Sequence, residues 1–206
     1  MKTLFDVSGM LLPIPYSVVL NTCFCYDDVQ SGCVSFITHA QETMNISCFT
    51  AGGTIDKIYF DRKNDYQVGD SIINQILRDA NVTFTFSVQP VIKKDSLDIT
   101  LADRSLLFDT VSECPDRHIL ITHGTDTMIE TAKFLLPIPD KTIVLTGSMQ
   151  PARFRNSDAV FNIGFALAAV QILPPGVHIA MNGRIFNPDR AEKNSDLNRF
   201  ESIESS

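Results

Sequence analysis

The sequence predicts an α/β, flavodoxin-like three-layer sandwich with a mainly parallel sheet. Short runs rich in β-branched residues and leucine recur along it, among them Ile119–Thr122 and Lys141–Leu145, as expected of strands buried on both faces. Segments with apolar residues at helical spacing follow such runs, for example Met128, Ala132 and Leu135. At the centre, Ile119–Thr122 turns on Gly124 and enters a helix. The turn therefore sits at the carboxyl end of a strand, where open α/β sheets bind ligands. Strands are expected around 46–51, 83–88, 118–122, 142–146 and 177–181.

Composition excludes several functions. The chain has 206 residues, 44% of them hydrophobic, and a net charge of −7, which disfavours nucleic acid or an anionic membrane surface as partner. No apolar run reaches transmembrane length. Met10–Leu20 is apolar but is interrupted by Pro13 and Pro15 and preceded by Asp6, so it suits a signal peptide poorly and a cytoplasmic protein is expected. Five cysteines in no recurring spacing do not make a disulfide framework. Cys23, Cys25 and Cys33 lie near His39, but Cys-x-Cys without a second paired set is a weak zinc signal, and neither metal nor cofactor is expected.

In chain order, residues 1–45 form an extension of unassigned role, and 46–206 form the domain. Leu11–Pro15 repeats as Leu135–Pro139, and Ile37–His39 as Ile121–His123, but the offsets differ and the order reverses, so there is no duplication. A first strand runs into Thr50-Ala51-Gly52-Gly53-Thr54-Ile55-Asp56, where paired glycines permit positive φ and close backbone approach. Ile58–Val68 is polar and reads as an exposed loop carrying Tyr66. Asp70 is placed to cap a helix whose apolar face is Ile72, Ile73, Ile76 and Leu77. After the second strand come Ser96 and Asp98, then a helix framed by Thr100 and Asp103 that runs to about Ser112. Thr127 and Glu130 have capping-box spacing, which leaves His123, Gly124, Thr125 and Asp126 in the central turn. On this stretch alone, Thr125 and Asp126 serve equally well as plain caps. Asn156–Leu173 reads as an amphipathic helix with Val160, Ile163, Leu167 and Val170 inward, ended by Pro174 and Pro175. Asn182–Phe200 is polar and expected to be loop, with Lys193 in a charged stretch.

Thr122-His123-Gly124-Thr125-Asp126-Thr127 followed by a helix resembles the second signature of the bacterial L-asparaginase family, amidohydrolases with a threonine nucleophile. Thr50–Asp56 is similar to the first signature, although Ala51 and Asp56 depart from it. Asp65–Gly69, Lys94–Thr100 and Thr146–Met149 agree in order, and the resemblance covers residues 46–200. It implies Thr54 as nucleophile, Tyr66 beside it on a closing loop, and Thr125, Asp126 and Lys193 as a second catalytic group. It also implies Ser96, with Asp98 adjacent, and Asp126 as holders of the amino acid's carboxylate and ammonium ends. The implied reaction is hydrolysis of L-asparagine or a related small amide through an acyl-enzyme, with ammonia as first product. Which threonine attacks first stays open.

Family enzymes carry a second, C-terminal domain through which a partner subunit adds an acidic residue, whereas this sequence stops at Ser206. The chain thus reads as a short, single-domain relative, expected to self-associate as a homo-oligomer and to turn over slowly with weak binding. A non-catalytic small-molecule-binding or interaction protein is the alternative. Because the motif-bearing elements all follow residue 45, deletion of residues 1–40 is expected to leave a folded protein by circular dichroism and melting. A truncated chain that is insoluble or melts far lower places that segment in the core.

Overall fold

A computed structural model of the chain describes residues 44–60 and 65–203, with side chains described for all of these except 59, 60, 65 and 66. The N-terminal cysteines, His39 and the extension itself lie outside the described residues. Strands β1 (Asn45–Gly52), β4 (Thr85–Lys94), β5 (His118–Thr122), β6 (Thr142–Thr146), β7 (Gly176–Met181) and β8 (Arg184–Phe186) form a six-stranded sheet in the order β4-β1-β5-β6-β7-β8. All neighbours pair in parallel except β7 and β8. Counting parallel strands along the chain, the spatial order is 2-1-3-4-5, so the order reverses between β1 and β5, and a doubly wound sheet has its ligand crevice at such a reversal. Two short antiparallel hairpins lie outside the sheet: β2 (Lys57–Phe60) with β3 (Asp65–Val68), and β9 (Ala191–Asn194) with β10 (Arg199–Ser202).

Alternation along the strands separates two cores. Helices α2 (Leu101–Glu113) and α3 (Met128–Leu135) place Leu107, Val111, Met128, Ala132 and Leu135 against Phe49, Ile119, Ile121 and Ile143. On the opposite face, α1 (Ile73–Asp79) and α4 (Ala159–Ile172) place Ile73, Leu77, Ile163, Ala166 and Val170 against Ile46, Cys48, Leu120 and Val144. Each fully buried aliphatic side chain contributes about 1.5–3 kcal/mol of transfer free energy. Cys48 is fully buried, and burial pushes its thiol up to about 12, so it stays protonated and inert.

Several expectations change. Within the expected loop 58–68, residues 58–60 and 65–68 are paired strand, and the stretch 182–200 contains β8, β9 and the start of β10. Its signal was present: Asn182 (φ 53) and Gly183 (φ 74) form the two-residue turn that pairs Met181 with Arg184. β9 and β10 carry one core residue each, Ala191 and Phe200, too few to show a period. β4 extends beyond 88 through Pro90 to Lys94, because it is an edge strand where a missing N–H is tolerated. Asp70 does not cap α1 but pairs with Lys93 at 2.7 Å. The Thr100–Asp103 capping box forms as expected, whereas Thr127 makes no side-chain cap.

Helix α4 buries Ile163, Leu167 and Val170 as expected, and Val160 is the one exception. The helix has no charged residue to mark its outer side; Val160 is 60% exposed while polar Asn162 is 0% exposed. The Asn162 amide donates to Gly147 O at 3.0 Å and to Asp158 Oδ2 at 2.9 Å, and its Oδ1 accepts from Asn182 N at 3.2 Å. Asn162→Leu, although more apolar, removes the partner of the buried Gly147 carbonyl and of the part-buried Asn182 N–H at two strand ends. It is expected to lower unfolding stability by roughly 2–4 kcal/mol in urea titration.

Candidate active site

Three turns meet at the carboxyl ends of β1, β4 and β5, and they meet through glycines. A Cβ on Gly53 would lie 2.2 Å from Gly124 Cα, and one on Gly124 would lie 2.6 Å from both Cβ and Oγ of Ser96. Gly52 and Gly53 also hold φ of 77° and 86°, a region that favours glycine. Gly53 N–H donates to Lys94 O at 2.9 Å, tying the β1 turn to the end of β4. Thr54 and Thr125 each directly follow one of the two touching glycines. Thr54 opens a 3-10 turn, Thr54–Asp56, and is half-buried.

The central turn is held from two sides. The Thr127 hydroxyl, instead of capping α3, donates to Ser96 O at 2.7 Å. Ser96 is 1% exposed, and its Oγ donates to Asp126 Oδ2 at 3.5 Å. From β9, Lys193 Nζ reaches Thr125 Oγ1 at 2.9 Å and Asp126 Oδ1 at 2.5 Å. The lysine side chain is 17% exposed and the aspartate 40%, so the pair sits at a rim with the lysine as its inner member. A shielded ammonium that donates to a hydroxyl and a carboxylate together orders both for a ligand.

The hairpin after Thr54 is anchored at its base. Gly69 N–H donates to Asp56 O at 2.8 Å, and Lys57 pairs with Asp95 at 2.6 Å beside the Ser96 turn. Burial opposes ionisation of Asp95, yet the Lys57 contact and backbone N–H groups hold its carboxyl below the ordinary range. Asp56 is 4% exposed; burial raises its pKa, and the carboxyl accepts from Ile72 N at 3.3 Å.

Of the residues expected from sequence, Ser96, Thr125, Asp126 and Lys193 are brought into contact, and Thr54 is carried to the same junction by Gly53. Tyr66 lies on β3 opposite Tyr59 in the hairpin that follows Thr54. Asp98, on the same short turn as Ser96, is exposed. Among those residues no three His, Cys, Asp or Glu side chains converge as a metal set. Residues without a sequence-based role also enter. His123 is 0% exposed, and Arg104 from α2 and Thr131 from α3 line up behind it.

The 2-1-3-4-5 sheet defines a doubly wound α/β protein, with this polar cluster at its reversal point. The family model for the N-terminal part of asparaginases matches residues 45–206, and the chain belongs to the asparaginase family. L-asparaginase from Thermococcus kodakarensis is 36% identical over 120 residues, 55% of this chain and 37% of that protein. L-asparaginase 2 from Escherichia coli is 31% identical over 179 residues, 77% of this chain and 49% of that protein. The solved thermostable L-asparaginase of T. kodakarensis superposes with a TM-score of 0.67 at 29% identity, over 77% of this chain and 51% of that one. A probable cytoplasmic L-asparaginase from Campylobacter jejuni gives 0.66 at 27% identity over the same shares. The chain thus spans about half, or less, of the length of these relatives.

Burial, with a smaller contribution from the Arg104 charge and against the Gly124 carbonyl bond, depresses the His123 pKa from 6.5 to about 4. Between those values the unfolded chain binds a proton that the folded chain refuses, so acidification through that window drains stability. Urea unfolding of the wild type is expected to weaken more between pH 6.5 and 4 than that of His123→Asn, carboxylates being common to both. Equal slopes contradict this.

Proposed function

We propose that this chain is an amidohydrolase that cleaves L-asparagine or a related small amide to the carboxylate and ammonia. The observation that carries the reading is the contact of one shielded lysine, Lys193, with both Thr125 Oγ1 and Asp126 Oδ1 at the strand carboxyl ends. Hydrolysing a carboxamide needs a hydroxyl nucleophile, a route for its proton and a fixed substrate. Thr54 attacks the amide carbon, and its proton leaves through Tyr66 on the following hairpin. The C–N bond then breaks with protonation of nitrogen, giving ammonia and a Thr54 ester. Water hydrolyses the ester and restores the hydroxyl. Lys193 as found donates to Thr125, so for Thr125 to pass a proton or activate water the lysine must first give one up. Asp126 holds Lys193 and receives the substrate ammonium, while Ser96 faces its carboxylate. Relatives named as L-asparaginases and glutaminase-asparaginases support the substrate class.

The working form is a cytoplasmic homo-oligomer. Supporting association, the outer side of α4 exposes Val160 and Phe161 at 60% and 61%, without a charged residue on the helix.

Ammonia release from asparagine, glutamine and simple amides tests the reading. Thr54→Ala is expected to reduce release on the order of a thousandfold or more with an unchanged circular-dichroism spectrum, since Thr54 lies in a turn. A Thr54→Ala protein with wild-type rate removes the nucleophile assignment, and a wild type that releases no ammonia removes the activity.

A further inference from the structure

His123 has no part in the proton transfers above, yet it is fully buried and both ring nitrogens are engaged. Nδ1 lies 2.8 Å from Gly124 O, and Nε2 lies 2.9 Å from Thr131 Oγ1. A carbonyl oxygen only accepts, so Nδ1 carries the proton. At the far end, Arg104 has donors only, and its Nε donates to Thr131 Oγ1 at 3.1 Å. In a buried, neutral ring protonated at Nδ1, Nε2 can only accept, so the Thr131 hydroxyl donates to Nε2 while it accepts from Arg104. Arg104 is itself fixed, donating to Ile99 O at 3.2 Å and to Glu130 Oε2 at 2.9 Å. With the ring neutral, the carbonyl at one end and the guanidinium at the other leave one direction for each donor between them.

The acceptor at the inner end is the carbonyl of the glycine on which the site turns. Gly124 has no side chain to hold it, and none fits between it and Ser96. We infer that His123 is a positioning residue whose neutral, Nδ1-protonated ring clamps the Gly124 carbonyl and so sets the Gly124–Thr125 peptide that presents Thr125 and Asp126 to Lys193. Because that peptide is planar and trans, holding its oxygen toward the ring directs Thr125 N–H away from it. Thr131 and Arg104 hold the tautomer that makes the clamp possible. The kinetic consequence rests on the amidohydrolase reading; the hydrogen-bond geometry does not.

The test compares His123→Leu with His123→Asn, whose amide can donate from near the Nδ1 position while lacking the Nε2 arm. For wild type, 15N-histidine NMR at pH 6 is expected to show one neutral Nδ1–H ring that disappears in His123→Asn, separating it from His39, His118 and His178. With asparagine, His123→Leu is expected to lose about 10- to 100-fold in kcat with a far smaller change in KM. His123→Asn should recover most of that loss. Hydrogen–deuterium exchange at Thr125 should be faster in the leucine variant than in the asparagine one. An Nε2–H tautomer or an imidazolium at pH 6, an unimpaired leucine variant, or an asparagine variant no better than leucine overturns the clamp. If wild type releases no ammonia, the activity fails separately, and tautomer and exchange decide the clamp. If the leucine variant does not fold, the tautomer and the asparagine variant's kcat and exchange against wild type decide it.

Discussion

The structure depends on a contact between backbones. Gly53 and Gly124 approach so closely that a methyl group on either would overlap the neighbouring turn, and Ser96 closes on Gly124 from a third side. Sheet register makes this possible: Thr50 pairs with Thr122 at the ends of β1 and β5, which brings the two glycine turns level. Everything polar in the site is then placed relative to that junction. Thr54 and Thr125 emerge from it on adjacent residues, and Asp126 meets Ser96 across it. A side chain in the gap would push the turns apart, and misplacement of about 1 Å can cost a hundredfold in rate.

Around this junction the chain trades ordinary helix capping for long-range ties. Thr127 has the position and neighbour of a capping residue, yet its hydroxyl binds Ser96 O at 2.7 Å. Asp95 accepts from Leu97 N at 3.2 Å and also pairs with Lys57, joining a local cap to the hairpin base. A cap contributes about 1 kcal/mol, so redirecting one hydroxyl costs the fold little while it fixes a turn. Asn162 does the same on the other face, tying the ends of β6 and β7 to α4.

The ion pairs divide by exposure. Lys93–Asp70 is open to solvent, with side chains 55% and 96% exposed, and such pairs contribute little. Lys193–Asp126 and Arg104–Glu130 each have one shielded member, 17% and 12% exposed. In both the shielded partner is the cation, and in both it also donates to a threonine hydroxyl. Their role is orientation. One arranges the site directly, and the other fixes the groups behind His123.

The sequence by itself determined the sheet and the glycine turns at its carboxyl ends. Strands buried on both faces need apolar runs, and the glycine turns at 52–53 and 124 are written in residue types that no other amino acid replaces. The resemblance in Thr54, Ser96, Thr125, Asp126 and Lys193 was legible because it is carried by residue types at set places in short motifs. Only the tertiary structure decided that Asn162 and not Val160 completes the inward side of α4, since the helix carries no charge and its buried amide is satisfied by the ends of two strands. It decided that Thr127 ties Ser96 and does not cap, because the competing acceptor lies 31 residues away in sequence. It decided that 182–200 folds as strands, two of them bearing a single core residue apiece. It also put Arg104, Thr131 and His123 in line. Periodicity reports burial within one element, whereas these contacts are made between elements, and spacing along the chain carries no record of them.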